Sequence, residues 1–450
     1  MTIARSFRRS ALLRTVVLSL VVALIPVIAV ESAEAQAGRT FGRNKVVYKN
    51  FDFRILKTEH FDIYYYDETA EAAEMVGRLA ERWYARLSRV LNHEMRQRQP
   101  VILYADHSDF EQTNTSAQFI EEGTQGFTEI LKRRLVMPLM VSLHETDHLL
   151  GHELVHAFQF DMTGQGQGGP GLDVPGAIRL PLWFIEGMAE YLSIGPVDPF
   201  TTMWIRDGLD LEDGFPSIPE LRDRRYFPYR YGHAFWSFIA GTYGDDKIGR
   251  ILTLAARTGN PLAALQAVLE TSIDDLSERW RNELETHFAS VRADTRQPDE
   301  YGRRVVYEPD GEDGFLNLGP SLSPDGSRLI YVSERDLFAV EMYLADAATG
   351  RINKRLTRNA VDAHFESLQF IHSSGDWHPD GDRIAVAGIK TGDPLLTILD
   401  AESGRILDEL RIEGEVGEIY TPSWSPDGAI IAFTGMRRGY TDLYVVNVDT

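Results

Sequence analysis

The chain has 450 residues, 43% of them apolar and 25% charged, which fits a globular protein with room for two or three domains. A net charge of −21 argues against nucleic acid as a partner. There is no cysteine, which excludes disulfides, a lipidated cysteine and thiol chemistry, and restricts any zinc site to His and carboxylate ligands.

The first 37 residues read as a signal peptide. Arg5, Arg8, Arg9 and Arg14 form a basic start, and Val16 to Val30 is apolar save for Ser19 and Pro26. Ala33-Glu34-Ala35 and Ala35-Gln36-Ala37 are small-x-small cleavage sites. The apolar run is short for a bilayer crossing, so no stable membrane span is expected after cleavage. Export to the periplasm or the extracellular space follows. Arg8-Arg9 leaves the twin-arginine and general secretory routes both open.

Next come two predicted strands, at 51–56 and 60–66, and a helix over 68–91 with Ala72, Met75, Leu79, Trp83 and Leu87 at helical spacing. Val101–Tyr104 is a short buried strand. Gly126 to Val136 reads as one further strand, placed to edge a substrate cleft. Leu135–Leu143 is strand-like and leads into a helix over 145–161.

That helix carries His152-Glu153-Leu154-Val155-His156, an HExxH motif. Residues four apart share a helix face, so His152 and His156 can offer two imidazoles to one metal with Glu153 beside them. Leu149, Leu150, Leu154, Val155 and Phe158 can bury one side of the helix and hold the ligands rigid. A second HExxH, His144-Glu145-Thr146-Asp147-His148, lies just before it. It reads better as a helix start with Thr146 or Asp147 near the cap, His148 keeping an accessory role open. Thirty residues beyond His156, in a helix over Leu182–Ile194, stands Glu186, followed one turn later by Glu190. A catalytic zinc takes three protein ligands and keeps a fourth position for water, and two His with a distant Glu suit it.

The Gly/Pro-rich stretch at 163–182 lacks the Gly-Lys-Ser/Thr ending of a phosphate loop. A flap near the site and a plain linker both remain open for it. Helices are predicted at Ala234–Tyr243, Asp246–Arg257, Pro261–Glu270 and Ile273–Arg292. After residue 300 the texture changes. Ser323-Pro324-Asp325-Gly326, His378-Pro379-Asp380-Gly381 and Ser425-Pro426-Asp427-Gly428 each precede a β-rich run. Their spacing, on the order of 50 residues, is that of four-stranded propeller blades. About three blades cannot close a ring, so an incomplete propeller and a longer natural protein are expected.

Residues 46–290 resemble the peptidase MA-like gluzincin domains, through Phe61-Asp62-Ile63-Tyr64-Tyr65, the His152–His156 pair, Trp183–Tyr191 and the region around Gly232. The C-terminal repeats resemble TolB-like β-propeller repeats. The fold class implied is an α+β thermolysin/gluzincin-like catalytic domain over 38–300, followed by all-β propeller blades over 301–450. The resemblance implies one Zn2+ per chain on His152, His156 and Glu186, Glu153 as general base, and Glu190 orienting a ligand imidazole. It also nominates Tyr229 as oxyanion donor, in Pro228-Tyr229-Arg230-Tyr231-Gly232. Tyr231 and His233 compete for that role, and an aromatic packing cluster is the plain alternative.

Two departures bear on activity. The spacing from His156 to Glu186 is longer than in the aminopeptidase branch, and Gln125-Gly126-Phe127-Thr128-Glu129 does not match that branch's grip on a substrate N-terminus. The expectation is therefore an exported zinc metallopeptidase, an endopeptidase acting on protein or peptide substrates. The propeller would recruit a substrate or an envelope protein partner. The alternative is a non-catalytic cell-envelope scaffold that works through the propeller.

Overall fold

The computed structural model describes residues 47–116, 120, 123–130, 132–164, 175–306, 316–335, 340–358, 367–368, 375–412 and 416–448. The signal segment, the glycine-rich run at 165–174 and the chain end at 449–450 lie outside the described residues.

Strands β1 (Arg54–Lys57) and β2 (Phe61–Tyr65) pair antiparallel, and helix α1 (Ala70–Leu91) then crosses to β3 (Gln99–Tyr104), parallel to β2. α1 buries Ala73, Val76, Ala80, Leu87 and Leu91 at helical spacing and stops at Asn92, whose φ of +50° ends the hydrogen-bond ladder. After the short α2 (His107–Glu111) come β4 (Phe127–Glu129) and β5 (Arg134–Pro138). The single strand expected over 126–136 is thus a hairpin. Arg133, at φ +54°, turns the chain between its arms. The sheet order is β1-β2-β3-β5-β4, which leaves β4 at the edge.

Eight helices follow among the described residues: α3 (Leu143–Thr163), α4 (Leu182–Ile194), α5 (Pro199–Gly208), α6 (Pro228–Tyr243), α7 (Asp246–Thr258), α8 (Pro261–Leu269), α9 (Ile273–Asp294) and the short α10 (Pro298–Tyr301). One apolar core joins the sheet to these helices through Phe61, Leu103, Phe158, Phe184, Trp236 and Trp280. No described helix is long and apolar enough to cross a membrane.

The C-terminal part is antiparallel sheet. β6 (Asn317–Leu322), β7 (Arg328–Ser333), β8 (Glu341–Asp346) and β9 (Ile352–Arg355) form the first sheet. β10 (Ser367–Leu368), β11 (Asp376–Trp377), β12 (Arg383–Lys390), β13 (Asp393–Asp400) and β14 (Ile406–Leu410) form the second. The third contains β15 (Glu418–Trp424), β16 (Ile430–Arg437) and β17 (Tyr440–Asn447). No closed barrel is seen among the described residues.

The repeat motif is a turn device. Ser323 Oγ lies 2.6 Å from Asp325 Oδ1 and accepts the Arg328 N–H at 3.0 Å, while Gly326 takes φ +70°. Ser425, Asp427 and Gly428 repeat this geometry. In the second copy His378 Nδ1 accepts from the Asp380 N–H at 3.1 Å, standing in for the serine. The third sheet touches the helical part at several points. Glu418 accepts from the His107 N–H, and Thr441 Oγ1 donates to the Val141 carbonyl.

Candidate metal centre

Helix α3 opens on a capping box rather than on the cap expected at Thr146 or Asp147. Ser142 Oγ accepts the Glu145 N–H at 3.1 Å, and the Glu145 carboxylate accepts the Ser142 N–H at 3.0 Å. The first HExxH copy therefore supplies a helix start and its Glu145 is spent on the cap. His144 is exposed. From Leu149 to Asp161 every residue of α3 is buried, so His152 and His156 stand on a helix enclosed on all sides.

His152, His156 and Glu186 come to one point. Glu186 Oε2 lies 3.3 Å from His152 Nε2 and 3.1 Å from His156 Nε2, and the two Nε2 atoms are 3.2 Å apart. The opposite nitrogens are already engaged. His152 Nδ1 lies 2.9 Å from Glu190 Oε1, and His156 Nδ1 lies 2.8 Å from Gln159 Oε1. Gln159 is oriented by its own amide, whose Nε2 donates to the Ile185 carbonyl at 3.1 Å. With both Nδ1 positions as donors, each Nε2 presents a lone pair to the same spot as the carboxylate. Three acceptors facing one another repel unless protons or a metal ion join them. Ligand atoms about 2.0–2.2 Å from a tetrahedral zinc stand roughly 3.3–3.5 Å apart, close to the observed spacings. The donor set and its geometry fit that ion.

The field around the point is negative. Burial pulls the His152 imidazole down, but bonds to Glu186 and Glu190 outweigh it and raise it to about 10. Burial pushes Glu186 up, yet the adjacent His156 and His152 hold its carboxyl well below the ordinary range. A metal that takes the Nε2 positions competes with these protons and releases them on binding.

The remaining candidates separate by position. Glu153 is buried, and its Oε2 accepts from Thr128 Oγ1 at 2.7 Å; the same hydroxyl lies 2.9 Å from the Glu153 carbonyl. Edge strand β4 thus holds the carboxylate of the motif. Tyr229 stacks on His152 with ring centroids 6.0 Å apart and hydrogen-bonds Glu186. Burial, then the Glu186 and Glu153 charges, push its hydroxyl far up, so it stays a proton donor. Tyr231 instead packs on Phe215 and Tyr226 in the core. His233 Nε2 donates to the Gly195 carbonyl at 2.7 Å. Of the three competing donors, Tyr229 lies against the cluster.

Glu190 does more than hold His152. His148 Nε2 approaches its Oε1 at 3.4 Å, and Arg230 Nη1 reaches its Oε2 at 3.1 Å. Arg230 also pairs with Asp198 at 3.2 Å. Sequence reading missed Thr128, Gln159 and Arg230. Gln159 carried one signal: it sits three residues after His156, one turn along the same helix. What brings α4 and α6 close is a glycine pair. A Cβ on Gly187 would stand 2.3 Å from Gly232 backbone atoms, and one on Gly232 would stand 2.2 Å from the Trp183 carbonyl oxygen.

No family model matches the chain. An uncharacterized protein of Treponema pallidum (strain Nichols) is 26% identical over 213 residues, which is 44% of this chain and 18% of that protein. Solved TolB structures are similar over part of the chain. One from Agrobacterium tumefaciens is 24% identical with a TM-score of 0.24, over 29% of this chain and 42% of that one. One from Acinetobacter baumannii is 22% identical with a TM-score of 0.25, over 30% of each.

Proposed function

We propose that this chain is an exported zinc-dependent peptidase. The observation that carries the reading is the convergence of His152 Nε2, His156 Nε2 and Glu186 Oε2, with the other ring nitrogens engaged by Glu190 and Gln159. A zinc ion on that set supplies Lewis-acid activation of water and of a substrate carbonyl. Glu153, steadied by Thr128, takes up a proton and returns it to the leaving amine. Tyr229 donates its O–H to the oxyanion, an interaction worth on the order of 3 kcal/mol in the transition state. Edge strand β4, which holds Glu153 through Thr128, is a rim along which an extended peptide can lie. The C-terminal sheets, in this reading, are propeller blades that recruit the substrate or an envelope protein. The basic start, the apolar run and the small-x-small sites at the N-terminus support work outside the cytoplasm.

The test is zinc content of residues 38–450, wild type beside His156→Ala, together with proteolysis of an unfolded protein by wild type and Glu153→Gln. One zinc per chain, lost in His156→Ala, with turnover abolished and metal kept in Glu153→Gln, is the expected result. Unchanged turnover in Glu153→Gln would sink the mechanism. Absence of zinc in wild type, even after reconstitution, would move the function to the blades and a scaffold.

A further inference from the structure

The outer face of α5 is apolar although it faces solvent. Its inner face buries Thr201, Ile205 and Gly208, while Phe200, Met203 and Trp204 stand one turn apart on the other side. Phe200 is 62% exposed, Met203 44% and Trp204 39%; nearby Val197 is 76% and Phe227 40% exposed. Single exposed apolar residues need no explanation, but a contiguous set beside a site does.

This set is continuous with the metal centre. Trp204 and Phe227 have ring centroids 5.4 Å apart, Phe227 and Tyr229 5.3 Å, and Tyr229 and His152 6.0 Å. Three ring-to-ring steps lead from a metal-facing imidazole to the open surface. The guanidinium of Arg230, which supports Glu190, lies 5.7 Å from the Phe200 ring centroid. A ledge of this kind takes flat or branched apolar groups and gives no hydrogen-bonded specificity.

We infer that Phe200, Met203, Trp204 and Phe227 form a subsite for a large apolar side chain of an extended polypeptide substrate, a few residues from the bond cut. An extended chain rises ~3.3 Å per residue, so the row spans about two to five residues from the reacting carbonyl. The inference rests on the peptidase reading and names its substrate class. A lipid surface is the lesser fit. The two stretches that carry the ledge, 197–213 and 222–230, hold five Arg against six acids, so they offer no basic excess to an anionic bilayer.

The experiment uses the zinc-loaded chain. The probe is a fluorescein-labelled peptide of Gly, Ser and Gln carrying one Phe, beside the same peptide with Gly in that place. Anisotropy is measured with Glu153→Gln, with Glu153→Gln/Trp204→Ser and, as a second and more exposed replacement, with Glu153→Gln/Phe200→Ser. The Phe peptide should bind Glu153→Gln about ten-fold more tightly than the Gly peptide, and the preference should fall to about two-fold or less in both ledge variants. Equal discrimination in all three proteins overturns the subsite. So does Trp204-dependent binding to phosphatidylglycerol vesicles without any Phe preference, which would mark a lipid face. Cleavage of an unfolded protein is mapped in parallel with wild type and Trp204→Ser. Turnover with identical cut positions in the two overturns the subsite and leaves the peptidase reading standing. A Trp204-dependent Phe preference without any turnover in wild type refutes the peptidase reading instead.

Discussion

Gln159 decides which way His156 faces. Its Oε1 takes the Nδ1 proton because its Nε2 is held by the Ile185 carbonyl. Gln159→Leu removes both bonds at nearly constant volume, and we expect zinc affinity to fall about 10–100-fold, read by competition with a chelator. Unchanged affinity would mean that packing alone orients the ring. Thr128 plays the matching part for Glu153, and Thr128→Val keeps the shape while losing the O–H donor. Turnover should drop roughly ten-fold with zinc content unaltered, as expected for one hydrogen bond to a charged group. If zinc is lost instead, Thr128 supports the fold of α3 rather than the carboxylate. The metal-facing residues were legible because HExxH spacing places two side chains on one helix face. Thr128 was not, because its partner lies 25 positions away and nothing local marks the meeting.

At the scale of elements, the Gly187/Gly232 contact sets how near α4 and α6 can come. Gly187→Ala should destabilise by about 1–3 kcal/mol in chemical denaturation, since the added methyl meets backbone that cannot yield. Gly241→Ala, in the same helix as Gly232 but facing open space, should be neutral or stabilising by up to about 1 kcal/mol. The same sign for both would show that helix propensity, not the contact, governs these glycines. Sequence periodicity found most helices of this half but placed the start of α6 at Ala234 instead of Pro228. Proline is well suited to a first helical turn, yet the aromatic run around it hid the pattern. α5 escaped notice for a related reason. Pro199–Gly208 is short, and its apolar residues Phe200, Met203 and Trp204 follow a proline that reads as a turn. The turn at Arg133 was missed because no glycine announces its positive φ.

At the scale of the molecule, the third C-terminal sheet meets the helical part beside a cluster of buried charge. Burial lowers the His107 imidazole, but Glu111 and Glu418 outweigh it and raise it to about 9. Burial and Asp109 push the neighbouring Asp106 carboxyl up as well, with Lys49 opposing. Both groups hold a proton more tightly in the folded chain. The His107 contribution is therefore fully present below about pH 6.5 and lost as pH rises through about 9. Asp106 has the same sign, its cost growing once pH exceeds the ordinary carboxylate range. We expect the urea midpoint to fall between pH 6.5 and 9, and to fall less steeply in Glu418→Gln, which keeps an acceptor for the His107 N–H. Parallel slopes would remove Glu418 from the account. The repeats and their Asp-Gly turns were legible from spacing. The contact through Glu418 was not, since it joins positions more than 300 residues apart.

Arg230 touches none of the three metal-facing atoms, yet it neutralises Glu190, which orients His152, and Asp198, whose carboxylate caps α5 by accepting the Thr201 N–H. Its loss would take the shared counterion from two buried carboxylates, leaving Glu190 to its histidines and Asp198 to the Thr201 N–H, a change worth up to about 3–5 kcal/mol. An alanine scan scored by activity alone would thus rank Arg230 among the chemical groups. Only a scan that also weighed metal and fold would reveal it as the shared counterion of two neighbouring structures.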